Sequence, residues 1–134
     1  MMAGIEYILN NYKTIAVVGL SRDESKYSYK VSKFMQDAGY TIIPINPSAD
    51  TLLGQKCYKD LGSIPAVPDV VDVFRPAAEA LDITKQAVSK GAKAVWLQEG
   101  IVNDAARDYA AANGVEFVQN RCIMKEYLRY HEGV

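Results

Sequence analysis

One histidine and two cysteines leave a chain of 134 residues with few handles for metal or thiol chemistry. His131 stands near the end of the sequence, and Cys57 and Cys122 are far apart, with no CxxC pair and no Cys/His cluster. That spacing excludes a zinc knuckle and a disulfide-dense secreted scaffold, and a reducing, cytoplasmic setting is the economical expectation. Long apolar runs are also missing. The longest, residues 15–20, falls far short of the roughly 20 residues a membrane span needs, so no membrane partner is expected. The sequence does not open on a basic stretch followed by an apolar one, so no export signal is expected. Charge of one sign is scarce as well. Fifteen basic and sixteen acidic residues give a net charge of -1, so nothing global draws the chain to nucleic acid and any anion site must be local.

With 49% apolar residues and no repeat, low-complexity run or linker, residues 1–134 are expected to form one domain large enough for its own core. Ile5, Ile8, Leu9 and Tyr12 recur at helical spacing, as do Tyr27, Val31, Phe34, Met35 and Ala38, with Gly39 placed to close the second helix. Between them, residues 14–18 form a β-branched run too short for a helix and without polar alternation, the pattern of a strand covered on both faces. The unit recurs. Strands are predicted at residues 41–45, 70–74, 94–98 and 115–118. Pro76 opens a helix ending at Gly91, Asn103 caps another, and a last helix carries Met124, Tyr127 and Leu128. Leu52, Leu53, Gly54, Cys57, Tyr58, Leu61 and Ile64 read as short helical turns. Five apolar strands alternating with helices require a parallel sheet with long crossovers, a Rossmann-like doubly wound α/β fold of three αβα layers.

In such a sheet the ligand crevice lies beyond the carboxyl ends of the strands, where strand order reverses. The strand-end segments are Gly19-Leu20-Ser21-Arg22, Asn46-Pro47-Ser48, Phe74-Arg75-Pro76, Gln98-Glu99-Gly100 and Asn120-Arg121-Cys122. They are rich in amides and arginine and poor in general bases, a set suited to recognition. Gly19 permits a tight turn, Ser21 and Ser28 offer hydroxyls, and the following helix points unpaired amides at the loop. Four basic residues, Arg22, Lys26, Lys30 and Lys33, against Asp23 and Glu24 give residues 19–33 a local balance of +2. A phosphate-bearing ligand fits, although Lys30 and Lys33 also suit a solvated helix face. The loop lacks GxGxxG, and Asn46 holds the place where a dinucleotide-binding fold carries an acid for the ribose hydroxyls, so a nucleotide other than NAD is favoured.

Val17-Val18-Gly19-Leu20-Ser21, Pro44-Ile45-Asn46-Pro47, Val71-Asp72-Val73-Phe74-Arg75, Ala94-Val95-Trp96-Leu97-Gln98 and Asn120-Arg121-Cys122 occur in order along nearly the whole chain. In that order they resemble the stand-alone coenzyme A-binding proteins, whose fold is similar to the nucleotide domain of the succinyl-CoA synthetase α-subunit. The resemblance implies that residues 19–28 hold the pyrophosphate, that Asn46-Pro47 and Phe74-Arg75 flank the adenosine, and that residues 98–100 border the pantetheine arm. Its ligand set is Gly19, Leu20, Ser21, Arg22, Lys26, Ser28, Asn46, Pro47, Phe74, Arg75, Gln98 and Gly100, with coenzyme A or an acyl-CoA as ligand and no metal. The loop at Asp23-Glu24-Ser25 is more acidic than the family's usual stretch. With one domain expected and no histidine in a strand-end segment, ligase chemistry is not expected.

Two rival readings accompany a CoA carrier, sensor or regulator without chemistry of its own. Cys122, next to Arg121 at a helix start, is the one nucleophile candidate for an enzyme acting on acyl-CoA or CoA disulfide, against a packing role as a small apolar residue. The other rival is a domain that reads NAD(H) or ADP and reports to a partner. Trp96 is expected in the core, and Tyr29, off the apolar stripe, is a candidate ligand contact where Tyr27 is not. A homodimer or an unidentified protein partner stays open.

Overall fold

The computed structural model describes residues 4–131. Helix α1 (Ile5–Asn11) leads into β1 (Thr14–Val18), α2 (Tyr27–Asp37) and β2 (Thr41–Ile45). The second half runs β5 (Val70–Val73), α3 (Ala80–Lys90), β6 (Ala94–Leu97), α4 (Asp104–Ala112), β7 (Glu116–Val118) and α5 (Ile123–His131). Between the halves lie two short strands, β3 (Thr51–Leu52) and β4 (Gln55–Lys56), paired antiparallel. The five long strands form one parallel sheet in the order β2-β1-β5-β6-β7, the doubly wound α/β architecture.

Successive residues of each strand face opposite layers, which divides the core in two. Ile15, Val17 and Trp96 pack with Leu9, Val31, Met35 and Ile123 under α1, α2 and α5. Ala16, Val71, Val95 and Leu97 pack with Ile83, Ala87, Ala106 and Ala110 under α3 and α4. The small alanines of α3 and α4 let those helices approach each other and the sheet closely. Edge strand β2 tolerates Pro44 because its outer side needs few ladder donors. There the Pro44 carbonyl accepts the Tyr58 amide at 3.0 Å, and the Asn46 amide donates to the Tyr58 carbonyl at 2.9 Å, which covers the carboxyl end of the edge.

Local signals set most boundaries. Gly39 and Gly91 take left-handed φ values of 105° and 94° and close α2 and α3, and the Asn103 side chain accepts the Ala106 amide at 2.9 Å to cap α4. Two expectations need correction. The segment after β2 is a hairpin turned by Leu53 and Gly54, both at positive φ, followed by a single 3-10 turn at Leu61–Ser63 rather than a series of helical turns. Pro76 precedes a 3-10 turn, Ala77–Glu79, and the α-helix itself starts at Ala80.

Chain order reverses at β1, which sends α2 and β2 to one side while the return segment and β5 lie on the other. The connections that leave the paired ends of β1 and β5 therefore run to opposite sides of the sheet, and a crevice opens beside them.

Candidate functional site

The crevice at this reversal point has a volume of about 770 Å³. Gly19, Leu20 and Ser21 form one wall, Asn46, Pro47 and Ser48 a second, and Arg75, Ala78, Glu79, Asp82 and Ile83 a third, with Lys59, Asp60 and Leu61 closing the side. Gly19 decides how close the first and third walls come. Its φ is 90°, and a Cβ there would stand 2.5 Å from the Phe74 carbonyl oxygen and 2.9 Å from Arg75 Cδ. Only glycine lets β1 turn this near the end of β5.

The β1–α2 loop is held by its own polar groups. The Ser21 amide donates to Ser28 Oγ at 3.0 Å, the Asp23 amide to Ser21 Oγ at 2.9 Å, and the Ser25 amide and hydroxyl to Asp23 Oδ1 at 2.9 and 2.7 Å. Those two donors from Ser25 hold the Asp23 carboxyl below its ordinary range. Arg22 leans across the loop, its Nη1 donating to the Ser48 carbonyl at 3.1 Å. Asn46 ties the neighbouring wall, with Nδ2 donating to the Leu20 carbonyl at 2.9 Å and Oδ1 accepting the Ser48 amide at 2.8 Å. An amide both donates and accepts here, which a carboxylate in the place of Asn46 could not do. On the third wall, Arg75 Nε and Nη2 donate to the two carboxylate oxygens of Glu79 at 3.0 and 2.8 Å. Each partner's hydrogen bonds stabilise its charge, so the Glu79 pKa is lowered and the Arg75 pKa raised.

Of the residues singled out from the sequence, Gly19, Leu20, Ser21, Asn46, Pro47 and Arg75 meet on this crevice. Arg22 joins two of its walls from an exposed position, Ser28 is buried as the acceptor that sets the Ser21 amide, and Lys26 is exposed at the N-cap of α2. Lys33 pairs with Asp37 in solvent at 3.4 Å, so it belongs to the solvated face. Phe74, Gln98 and Gly100 lie outside this crevice. Phe74 meets the Tyr27 ring edge-on with centroids 6.5 Å apart. Gly100, at φ 87°, donates its amide to Asn120 Oδ1 at 2.7 Å. Gln98 is 2% exposed, its Nε2 donating to Asp72 Oδ1 at 2.5 Å while its Oε1 accepts the Ile123 amide at 3.4 Å.

Cys122 is 2% exposed, and its sulfur accepts the Tyr27 hydroxyl at 2.8 Å. Burial, reinforced by this bond, pushes the Tyr27 pKa up. The burial of the two tyrosines is thus the reverse of the expectation. Tyr29 packs against the core, whereas Tyr27 is exposed over Cys122, because α2 starts at Tyr27 and turns its first side chain toward α5. Trp96 is fully buried, with Nε1 donating to the Arg121 carbonyl at 2.8 Å. His131 is exposed and stacks on Tyr127 at 4.2 Å, away from the strand-end loops. Lys59, Asp60, Glu79 and Asp82 also line the crevice, from positions outside the strand-end segments. An acid inside the otherwise apolar run Val70–Val73 was the available signal for Asp72, whose carboxyl burial pushes up to about 7.

A parallel doubly wound sheet with a polar crevice at its reversal point defines a Rossmann-like α/β protein. The chain belongs to the CoA binding domain family, which matches residues 13–127. It is 40% identical over 121 residues to the uncharacterized protein YneT of Bacillus subtilis, covering 90% of each chain. A hypothetical protein from Pyrococcus horikoshii superimposes with a TM-score of 0.89 at 38% identity, over 93% of this chain and 88% of that one. The acetate–CoA ligase (ADP-forming) of Methanocaldococcus jannaschii is 31% identical over 81 residues, and the match spans 60% of this chain but 12% of the ligase.

Proposed function

We propose that this protein binds coenzyme A, free or acylated, at the β1/β5 crevice and acts as a carrier, sensor or regulator without chemistry of its own. The observation that carries the reading is the Gly19 turn, packed against the Phe74 carbonyl, which leaves a polar loop facing a crevice in a chain of the CoA-binding family. In this reading the diphosphate lies on residues 19–28, the adenosine between Asn46-Pro47 and Phe74-Arg75, and the pantetheine arm runs toward residues 98–100. Gln98 borders the arm without bonding to it, since its side chain is committed to Asp72 and Ile123 and its backbone amide and carbonyl to Val73 and Ile101. Asn46, held by Leu20 and Ser48, offers the ribose of NAD no carboxylate. A cytoplasmic setting agrees with two free cysteines.

The enzyme reading is the weaker one, because Cys122 is buried beneath the Tyr27 hydroxyl and no base contacts it among the described residues. Incubation with CoA and with acetyl-CoA tests the proposal. Both ligands are expected to raise the melting temperature, and acetyl-CoA is expected to be recovered intact. Absence of any shift, or thioester consumption that Cys122→Ser abolishes, would contradict it.

A further inference from the structure

The crevice presents two cations, Lys59 and Arg75, against three acids, Asp60, Glu79 and Asp82, an unexpected balance for a site read as taking a phosphorylated ligand. Arg75 lies against the Gly19 turn, its Cδ 2.9 Å from where a Cβ on Gly19 would stand. Its guanidinium is already engaged, with Nε and Nη2 donating to the two oxygens of Glu79 in a two-pronged contact at 3.0 and 2.8 Å. That is also the geometry in which arginine binds phosphate. The two side chains are 46% and 45% exposed, so water screens the pair and a competing anion can reach the fork.

We infer that Glu79 is an internal competitor for the ligand's phosphate, occupying Arg75 in the ligand-free protein and yielding it when a phosphate enters the crevice. The inference rests on the CoA reading above and adds a residue that sets the affinity of that site. The phosphate monoester on the adenosine part of coenzyme A, the part placed against Arg75, brings the same two-pronged acceptor geometry as a carboxylate with greater charge, so exchange favours the phosphate. The displaced Glu79 carboxylate then stays on the crevice wall beside a like charge. Both effects make the acid subtract from affinity, and both are electrostatic. A merely positioning role, in which Glu79 holds Arg75 ready for the ligand, has the opposite sign, because its removal would loosen the arginine and weaken binding.

Titration calorimetry of CoA into wild type, Glu79→Gln and Glu79→Ala at low and high salt separates these cases, and the exposed position of Glu79 lets both variants fold. Binding by both variants is expected to be about 3- to 10-fold tighter than wild type at low salt. The gain is expected to fall below about twofold near 1 M salt, where the screening length is about 3 Å. CoA binding in which neither variant gains, or both lose affinity, would overturn the competitor role and leave the CoA reading intact. Failure of wild type and both variants to bind CoA would instead refute the CoA reading and this inference with it.

Discussion

Gly19 and Asp72 show how much a single position can carry. Gly19 combines a left-handed φ of 90° with a virtual Cβ 2.5 Å from backbone oxygen, whereas Gly54 has a φ of 73° and nothing within 4 Å. Substitution at Gly54 meets only conformational strain, about 1 kcal/mol. Gly19→Ala adds a backbone clash and is expected to cost about 2 to 3 kcal/mol. It is also expected to abolish CoA binding, because β1 and β5 must separate. Urea denaturation of the two alanine variants checks this, and equal losses would show that the close approach is unimportant. Asp72 adds a pH dependence. Its carboxyl titrates near 3.8 in the unfolded chain and, through burial, near 7 in the folded protein. Between those values the folded state holds a proton the unfolded chain has released, so stability falls as pH rises through the window and levels off above it. Asp72→Asn is expected to flatten that part of the stability curve and to exceed wild type at pH 8 by at most about 4 kcal/mol. An unchanged curve from pH 4 to 8 would remove Asp72 as its source.

Among the elements, the β1–α2 loop is preorganised by short-range bonds, with Ser21 and Arg22 at its centre. Replacing both by alanine removes the Asp23 anchor and the bridge to Ser48 without touching the core. CoA affinity is expected to drop about tenfold or more while the melting temperature stays within about 2 °C, since loop side chains with polar tips add little to stability. Full affinity would displace the phosphate contact from this loop. Strands β1 and β2 were legible to the residue because β-branched runs end abruptly at Gly19 and Asn46-Pro47. The β3–β4 hairpin was not. Its strands are two residues each, too short to show alternation, and Leu53 occupies a positive-φ turn position that normally announces itself with Asn, Asp or Gly. The crevice was legible in part for a similar reason. Gly19, Asn46 and Arg75 end strands and so mark the site, but Lys59, Asp60 and Asp82 reach it through a turn and a helix whose facing depends on the fold. Gln98 also ends a strand, yet the N-terminus of α5 folds over it and buries its side chain.

At the scale of the molecule, strand order β2-β1-β5-β6-β7 brings three loops distant in sequence to one crevice. The two core layers hold that arrangement from both faces of the sheet. The same fold serves many dinucleotide-binding proteins, so selectivity rests on what the loops display. Here they display a single-glycine turn, an amide at the end of β2 and an arginine at the end of β5, the set on which the proposed preference for CoA over NAD rests. Titration calorimetry with CoA and with NAD under identical conditions tests that claim most directly. The account expects saturable binding of one CoA per chain, at least about tenfold tighter than NAD. Equal affinities, or tighter binding of NAD, would contradict it.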